Sequence, residues 1–271
     1  MTLRKQLLEN PGLAYENNIF YQKDFQRNNS FEETYLKLRK KENRIYTDDI
    51  VKELPEISSS HFFKKEWEMR KSTLKILVEY LKADNSAERR ILELGCGNGW
   101  LSNNLAVRLK AEICAVDVNE IELLQGARVF GTQQNLCFVY TDNFSESLKA
   151  QKFNAIVLGS CIQYFQDLKN LHHKLFELMG SSDRIYIADS PFYSSKAQSN
   201  AAKKRSVSYF QSLGFPEMAE KYFHHTLDEL KDFNYKILYN PTSPTSLLKR
   251  KILKIPLSIF PIICISKEGK F

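Results

Sequence analysis

Three glycines at the end of an apolar run are the first feature of this 271-residue sequence that could do chemistry. Gly95, Gly97 and Gly99 lie in the segment ILELGCGNGWL, where a predicted strand gives way to a predicted helix. Because glycine adopts positive φ and carries no side chain, such a turn lets the backbone approach a ligand closely. At the carboxyl end of the first strand of a doubly wound sheet, the turn predicts a ligand-binding site.

An acidic residue follows the glycine turn at the distance expected for a ribose contact. Asp117 ends the next predicted strand, 22 residues after Gly95, where a carboxylate can accept hydrogen bonds from both ribose hydroxyls. This arrangement suits NAD as well as an adenosyl cofactor. Trp100, however, replaces the small residue that a dinucleotide fingerprint needs, and the carboxylate of Glu93 would repel a pyrophosphate. The pattern therefore favours a cofactor that carries cationic groups.

Three motifs, in order, resemble a known family. ELGCGNG at 93–99, AVDVN at 115–119 and YTDNF at 140–144 resemble the class I S-adenosylmethionine (SAM)-dependent methyltransferases over about residues 85 to 190. The segment FFKKEWEMRKS resembles the helix that precedes this domain in small bacterial members. The resemblance implies an α/β fold with a doubly wound, mostly parallel seven-stranded sheet, helices on both faces, an antiparallel last strand and a helical N-terminal extension. It also implies SAM as cofactor and S-adenosylhomocysteine (SAH) as product.

The resemblance assigns cofactor contacts by position. The glycine turn would lie under the methionine part of SAM, Asp117 would hold the ribose hydroxyls, and Val118 would contact the adenine. Residues 142–144 would flank the adenine, and the segment GSCIQYF at 159–165 would close the pocket. The complete predicted set of cofactor-binding residues is Glu93, Gly95, Cys96, Gly97, Gly99, Asp117, Val118, Asp142, Asn143, Phe144, Gly159, Tyr164, Trp67 and Arg70.

A pair of histidines in the C-terminal third is the candidate for acid–base chemistry. His224 and His225 precede a predicted helix that contains Asp228, in a region where an acceptor could bind. A sulfonium leaving group is already activated, so a base is needed only for an acceptor that is protonated at neutral pH. His225 and His224 are therefore the candidate catalytic residues, with surface capping of the helix as the alternative. A second pair, His172 and His173, is interpreted as a solvated helix face.

Alternating sequence patterns predict the elements that must position these residues. Short apolar runs predict strands and the amphipathic stretches between them predict helices, which is typical of a parallel sheet covered on both faces. The predicted strands are Arg90 to Leu94, Glu112 to Val116, Leu136 to Tyr140, Phe153 to Leu158, Arg184 to Ala188, 235 to 239 and 262 to 266, the last two pairing antiparallel. The predicted helices are Trp100 to Lys110, Ile121 to Phe130, Leu168 to Met179, Ala197 to Leu213 and Thr226 to Phe233.

The chain before the glycine turn is interpreted as a lid. Apolar residues from Phe63 to Leu81 recur at helical spacing and predict a helix that is capped by Ser58 to Ser60 and ends near Lys82. Residues 1 to 84 form the expected N-terminal helical extension, and residues 85 to 271 form the SAM-binding domain. Residues 190 to 260 are expected to contain acceptor-side insertions, and the pattern in residues 1 to 57 assigns no fold.

Charge is unevenly distributed along the chain. The net charge of +7 arises in residues 190 to 271, where 13 cations face 6 carboxylates. A nucleic-acid binder more often carries a sustained basic face with interleaved aromatics, so nucleic acid is not a favoured partner. The stretch LLKRKILKIPLSIF, 247–260, mixes apolar residues with four cations. It allows two interpretations, a weak membrane or lipid contact and a connector packed between the final strands.

Composition is that of an ordinary globular protein, with 43% hydrophobic and 26% charged residues. Apolar runs are too short to cross a membrane, and the first ten residues are too charged for a secretory signal, which predicts a cytoplasmic location. Five irregularly spaced cysteines without a CxxC pair predict buried, reduced thiols and no metal site.

The function predicted by these features is methyl transfer from SAM to an O or N atom of a small-molecule acceptor. The segment after the fourth strand of the domain lacks the Asn/Asp-Pro-Pro-aromatic signature that resembles methylation of exocyclic amines. Two alternatives stay open: a non-catalytic SAM-binding module, and an RNA-modifying methyltransferase that uses the basic C-terminal third. No sequence feature indicates an oligomeric state.

Overall fold

The computed structural model describes residues 1–25, 29–83, 89–141 and 146–267, and a mixed sheet lies at its centre. The apolar runs predicted as strands form this sheet, because each is buried on both faces. The strands are β1 (Leu13–Glu16), β2 (Ile19–Gln22), β3 (Arg90–Leu94), β4 (Glu112–Asp117), β5 (Leu136–Tyr140), β6 (Phe153–Gly159), β7 (Met179–Ala188), β8 (Asn234–Tyr239) and β9 (Ile262–Ser266).

Strand order in the described residues is β1-β2-β5-β4-β3-β6-β7-β9-β8. The strands from β2 to β7 in this order are parallel to one another, whereas β1 is antiparallel to β2, and β9 is antiparallel to both β7 and β8. From β3 the chain moves outwards to β5 and then returns to β6 on the other side of β3, which makes the carboxyl ends of β3 and β6 the switch point. The predicted doubly wound sheet with an antiparallel last strand is confirmed.

Helices cover both faces of the sheet. One apolar cluster includes Leu77, Leu105 and Leu123 from three helices, and the other, on the opposite face, includes Leu3 and Leu171. The helices are α1 (Leu3–Leu8), α2 (Asn29–Lys41), α3 (Asp48–Glu53), α4 (Lys64–Ala83), α5 (Trp100–Leu109), α6 (Glu120–Phe130), α7 (Glu146–Lys149), α8 (Leu168–Glu177), α9 (Lys196–Leu213) and α10 (Pro244–Lys251). Shorter 3-10 helices span Ile162–Tyr164, Pro216–Lys221 and Leu227–Leu230.

The N-terminal segment adds two strands to the predicted seven. Strands β1 and β2 form a hairpin whose turn residues, Asn17 and Asn18, have positive φ of 50° and 61°. Strand β2 pairs in parallel with β5, where Phe20 lies opposite Val139. The extension is therefore part helix and part sheet, and the sheet continues across the boundary expected at residue 84.

Two local predictions were wrong in detail. Helix α4 begins at Lys64 rather than after the serines, because the Ser58 hydroxyl accepts from the backbone N–H of Ser60 and stays within a turn. The segment predicted as a helix over 226–233 is a 3-10 turn over Leu227–Leu230, with Thr226 and Glu229 forming its capping box. The first difference concerns where the helix starts, and the second concerns the type and length of the helix.

The interpretation of His172 as part of a solvated face was also wrong. His172 is fully buried on the inner side of α8, with its ring 4.7 Å from the ring of Phe233, whereas His173 is exposed. The five cysteines are buried and unpaired, as predicted. No helix in the described parts of the chain is long and apolar enough to span a membrane.

Candidate functional site

The glycine turn joins β3 to α5 with a backbone that only glycine follows without strain. Gly95, Gly97 and Gly99 have φ of 70°, 53° and 74°. The backbone N–H groups of Gly95 and Cys96 donate to the carbonyl of Val116 at 2.9 and 3.1 Å, which fixes the turn against β4. A Cβ at Gly99 would lie 2.5 Å from the Phe138 ring, so this position also requires glycine for space.

Asp117 ends β4 directly beside the glycine turn. Its Oδ2 accepts from the Gly97 N–H at 2.7 Å, and its Oδ1 accepts from the Asn119 N–H at 2.8 Å. Burial raises the pKa of Asp117, while these backbone donors oppose the rise. Each carboxylate oxygen has two lone pairs, so both can still accept a ligand hydroxyl. The geometry that the spacing predicted between Asp117 and the glycine turn is therefore present.

Glu93 lies deeper than its sequence position suggested. Its side chain is 2% exposed, and its Oε2 accepts a hydrogen bond from the Ser102 hydroxyl of α5. Burial raises the pKa of Glu93 to about 8, and the charge of Asp117 adds to the rise. Glu93 is not one of the described residues that line the two cavities at the glycine turn. Because α5 packs over it, Glu93 supports the floor of the site instead of facing a ligand.

Two adjoining cavities, of about 120 and 270 Å³, lie at the glycine turn and share part of their lining. The smaller continues towards Asp117 and Val118, and the larger continues towards Trp67 and Arg70 of α4. The residues that line both are Tyr35, Gly95, Gly97, Glu122, Ser160 and Tyr164. Together the cavities form a site at the carboxyl edge of the sheet, where open α/β sheets bind ligands.

Most of the predicted cofactor contacts meet at these cavities. Gly99 does not line them but holds the turn, and residues Asp142, Asn143 and Phe144 lie outside the described residues. The predicted residues that do line one or both cavities are Gly95, Cys96, Gly97, Asp117, Val118, Gly159, Tyr164, Trp67 and Arg70. Burial raises the pKa of the Cys96 thiol well above its ordinary value, so Cys96 packs as a neutral thiol.

The candidate catalytic histidines lie elsewhere. His224 and His225 line a third cavity, of about 940 Å³, and neither lines the two cavities at the glycine turn. His225 Nδ1 lies 3.0 Å from Glu229 Oε2. Tyr222 lines this third cavity and Tyr164 lines the two cavities at the glycine turn. Their rings pack edge to face at 5.8 Å and form a wall between the third cavity and the other two. The structure therefore does not bring the histidines to the predicted cofactor site, and their catalytic role stays a prediction.

Helix α2 supplies a roof within residues 1 to 84, the part of the chain interpreted as a lid, but the sequence analysis singled out none of its residues. Phe31 and Tyr35 line the smaller cavity, and their rings pack edge to face on Tyr164 at 6.2 and 5.9 Å. Arg39 follows on the same helix face and lines the larger cavity. The spacing of four residues from Phe31 to Tyr35 to Arg39 was a readable signal for one helix face. Nothing local indicated that this face would cover the glycine turn.

Glu122 was the second omission. It lies in the first turn of α6, immediately after Asp117, and lines both cavities. Burial and the charge of Asp117 raise the pKa of Glu122 to about 7, against the opposing charge of Arg39. The signal available was its position, because the first turn of a helix that follows a parallel strand faces the same edge as the glycine turn. Glu122 thus adds a carboxyl group that lines both cavities, whereas Asp117 lines only the smaller one.

Ion pairs fix the outer wall of the larger cavity. Both Nη atoms of Arg44 donate to the two Glu66 oxygens at 2.8 Å, and Arg70 Nε donates to Glu66 at 3.2 Å. Arg70 also reaches the Ser160 hydroxyl at 3.4 Å, at the end of β6. Although burial opposes it, the two guanidinium groups lower the pKa of Glu66. The network connects the chain after α2, helix α4 and the sheet at one point.

Comparison with known proteins agrees with this geometry. The chain is 28% identical over 114 residues to malonyl-(acyl-carrier protein) O-methyltransferase of Acetivibrio thermocellus. The match covers 42% of this chain and 40% of the relative, which is less than half of the relative's length. The solved phosphoethanolamine N-methyltransferase 2 of Haemonchus contortus, in complex with SAM, is similar in fold, with a TM-score of 0.56, 13% identity, and coverage of 92% of this chain and 62% of that one. The plantazolicin methyltransferase BpumL in complex with a pentazolic desmethylPZN analog and SAH has a TM-score of 0.53 and 17% identity, with coverage of 89% and 99%.

A family profile described as "Methyltransferase domain" matches residues 67–234, which is more than half of the chain. The matched range contains the glycine turn, Asp117 and Glu122. With the doubly wound sheet and the cavities at its switch point, this match shows that the chain belongs to the class I SAM-dependent methyltransferases.

Proposed function

We propose that this protein transfers a methyl group from SAM to an O or N atom of a small-molecule acceptor. The observation that carries the proposal is the contact between the Gly97 N–H and Asp117 Oδ2, 2.7 Å long, at the junction of the two cavities. It brings a bare backbone turn together with a carboxylate, which the proposal assigns to the ribose hydroxyls. Relatives named as O- and N-methyltransferases support both acceptor atoms.

The residues that line the cavities have the chemistry that each part of SAM requires. A Cβ at Gly97 would lie 3.4 Å from Glu122 Oε2, within the space that the ligand needs. The adenosine part would lie towards Val118 and Asp117, and the methionine part towards Trp67 and Arg70. The Arg70 guanidinium, which has five N–H donors, can bind a carboxylate while it keeps its contacts to Glu66 and Ser160.

In the proposed reaction the residues of this chain mainly orient the reactants. SAM, when bound, supplies a methyl group on a positively charged sulfur, so the leaving group needs no further activation. The glycine turn and Asp117 fix the nucleoside, and alignment of acceptor and donor lowers the barrier. The rings of Phe31, Tyr35 and Tyr164 pack together along the smaller cavity, and in the proposal they would exclude water from the acceptor side. Glu122 adds a second carboxyl group, which lines both cavities.

Calorimetric titration of SAH into the Asp117→Ala variant tests the ribose contact. Loss of two charge-assisted hydrogen bonds is expected to weaken SAH binding about 100-fold. Asp228→Ala is the matched control, because Asp228 is 75% exposed, pairs with Lys231 and does not line either cavity. Equal SAH affinity of Asp117→Ala and the wild type would contradict the proposed site.

Comparison of SAM with SAH tests the role of Glu122. SAM carries a sulfonium charge that SAH lacks, so a carboxylate beside the shared cavity should favour SAM. Since the pKa of Glu122 is about 7, this preference should grow as pH rises through that value. Glu122→Gln should reduce the preference and remove its pH dependence while SAH affinity changes little. A preference for SAM that is the same in Glu122→Gln and the wild type would disprove this role.

A further inference from the structure

A cluster of exposed aliphatic side chains lies between β8 and β9. Of the 14 large hydrophobic residues that are exposed in the described chain, five fall within residues 248–259. Globular proteins seldom concentrate aliphatic side chains on the surface unless that surface contacts something else. The five, called here the aliphatic patch, are Leu248 (50% exposed), Ile252 (68%), Leu253 (60%), Ile255 (39%) and Ile259 (54%).

The sequence around the aliphatic patch carries positive charge. Lys249, Lys251 and Lys254 alternate with the patch residues and are exposed. In the sequence, no Asp or Glu occurs between Asp232 and Glu268, so the patch lies in a long segment with cations only. Each lysine near an anionic lipid surface adds a favourable interaction, and aliphatic side chains insert at the headgroup level. The aliphatic side chains match the apolar acyl chains of an anionic bilayer, and the lysines match its negatively charged headgroups.

The patch is held by the fold and is not a loose tail. The Tyr239 hydroxyl donates to the carbonyl of Ser258 at 2.7 Å, and Arg250 donates to the carbonyl of Pro241 at 3.0 Å. Leu257 packs on a small apolar cluster that contains Tyr239 and Ile262. Leu257 and Ser258 are thus packed, as the connector interpretation of residues 247–260 predicts for the segment. The outward residues keep a defined arrangement although nothing in the described chain covers them.

The topology brings the patch to the same edge of the sheet as the cofactor cavities. Strand β8 is antiparallel to β9 and β9 is antiparallel to β7, so β8 runs parallel to β7 and its end at Tyr239 lies at the carboxyl edge. The chain returns into β9 at Ile262 from that edge. A surface on which the patch rests would therefore face the edge where the cavities over the glycine turn open.

We propose that the aliphatic patch and its three lysines dock this protein on an anionic phospholipid bilayer. RNA fits the surface less well, because the exposed large hydrophobic residues here are all aliphatic and offer no ring for bases to stack on. A second copy of the chain fits less well because two such surfaces would bring like charges together. The docking proposal does not depend on the methyl-transfer reaction.

Flotation with vesicles tests the docking surface. Wild-type protein is mixed with vesicles of phosphatidylcholine alone, or of equal parts phosphatidylcholine and phosphatidylglycerol, and the bound fraction is measured after centrifugation. We expect binding to the anionic vesicles that weakens as salt is raised. Ile252→Ser/Leu253→Ser and Lys251→Glu/Lys254→Glu should each bind about tenfold more weakly. Calorimetry with SAH checks that the variants stay folded, since none of the four residues lines the cofactor cavities.

Matched control variants distinguish binding through the aliphatic patch from non-specific binding to vesicles. Val107→Ser removes an aliphatic side chain that is 57% exposed at the end of α5, towards the opposite edge of the sheet. Lys82→Glu reverses an exposed charge near the end of α4. Both should bind vesicles as the wild type does. Binding equal to wild type by both patch variants, or no vesicle binding by the wild type, would overturn the proposal. It would also be overturned if the patch variants instead abolished a dimer seen by light scattering, or RNA retention.

Discussion

At the scale of single residues, the site depends on backbone positions that only glycine tolerates and on carboxyl groups with unequal environments. Asp117 is held by backbone donors at the mouth of the cavities, Glu122 lies within them, and Glu93 is buried below. Burial raises the pKa of all three, to about 8 for Glu93 and to about 7 for Glu122. Glu122 therefore adds negative charge near a cationic cofactor only as pH rises through about 7.

Substitution of Gly97 separates backbone strain from loss of the ligand space. Gly97→Val should cost stability because φ is 53°, and its side chain should also block the cofactor. Gly214→Val is the matched control, since φ there is 86° and a Cβ would meet nothing within 4 Å. Both variants should lose about 1–2 kcal/mol of stability, and only Gly97→Val should lose thermal stabilisation by SAH. Normal stabilisation of Gly97→Val by SAH would contradict the placement of the ligand.

The buried carboxyl group of Glu93 should make stability fall with rising pH. Because its folded pKa is about 8, the folded protein keeps this proton while the unfolded chain releases it above about 4.5. The resulting penalty grows from pH 4.5 to pH 8 and reaches about 4 kcal/mol. Glu93→Gln should remove it, so the variant should gain stability over the wild type at pH 8 but not at pH 5. Denaturant unfolding at both pH values measures the difference, and an equal difference at both would disprove the assignment.

At the scale of helices and strands, local sequence was enough to predict most strands of the sheet but not the two N-terminal strands, β1 and β2. Strands such as β3 and β5 were predictable because each is a continuous apolar run bounded by polar residues. Strand β1 buries only Leu13 of its four residues, so its sequence has no strand period. Its partner β2 is buried because β5 lies beside it, and the paired residues, such as Phe20 and Val139, are 119 positions apart, so no local pattern contains this contact.

The same distinction applies to the site. The glycine turn and Asp117 belong to two consecutive βα units, so their meeting follows from the topology of any doubly wound sheet. Tyr35 and Arg39 reach the site only because α2 folds back over the carboxyl edge. His224 and His225 were expected there because their residue type suits proton transfer, but the Tyr164–Tyr222 wall places them by another cavity.

Helix α8 contains an acid-sensitive element. His172 is fully buried, neither ring nitrogen has a hydrogen-bond partner among the described residues, and burial lowers its pKa to about 4, with the nearby histidines adding to the shift. The unfolded chain takes up this proton below pH 6.5 but the folded protein does not, so stability should fall by about 3 kcal/mol between pH 6.5 and 4.

The neighbouring histidine gives a control for this prediction. His172→Leu should reduce the loss of stability on acidification, because the buried position then has no proton to bind in the unfolded state. His173→Leu, one residue further on the exposed side of α8, should keep the wild-type pH dependence. Thermal unfolding between pH 4 and 7 measures both variants. If the two behave alike, the acid sensitivity has another source.

At the scale of the whole molecule, the N-terminal segment is tied to the sheet from two sides. The hairpin of β1 and β2 extends the sheet beyond β5, and Arg4 donates to the carbonyl of Leu136 at 2.7 Å. Arg90, at the start of β3, donates to Gln6 at 2.8 Å and to the carbonyl of Met1 at 2.7 Å. These contacts join the start of the chain to strands that carry the glycine turn and Asp117, so the segment that leads into α2 should unfold together with them.

Phe20 provides the test of this cooperativity. Its ring is fully buried in the apolar cluster that also contains Val116 and Val139 from β4 and β5. Phe20→Ala should therefore destabilise the entire protein by about 3–5 kcal/mol in one unfolding transition, and should lower the temperature at which SAH binding is lost. Phe62→Ala, where the ring is 90% exposed, should leave the transition unchanged. If Phe20→Ala instead produced a separate early transition and left the main one in place, the hairpin would be an independent appendage, and the roof that follows it would not share the stability of the methyltransferase fold.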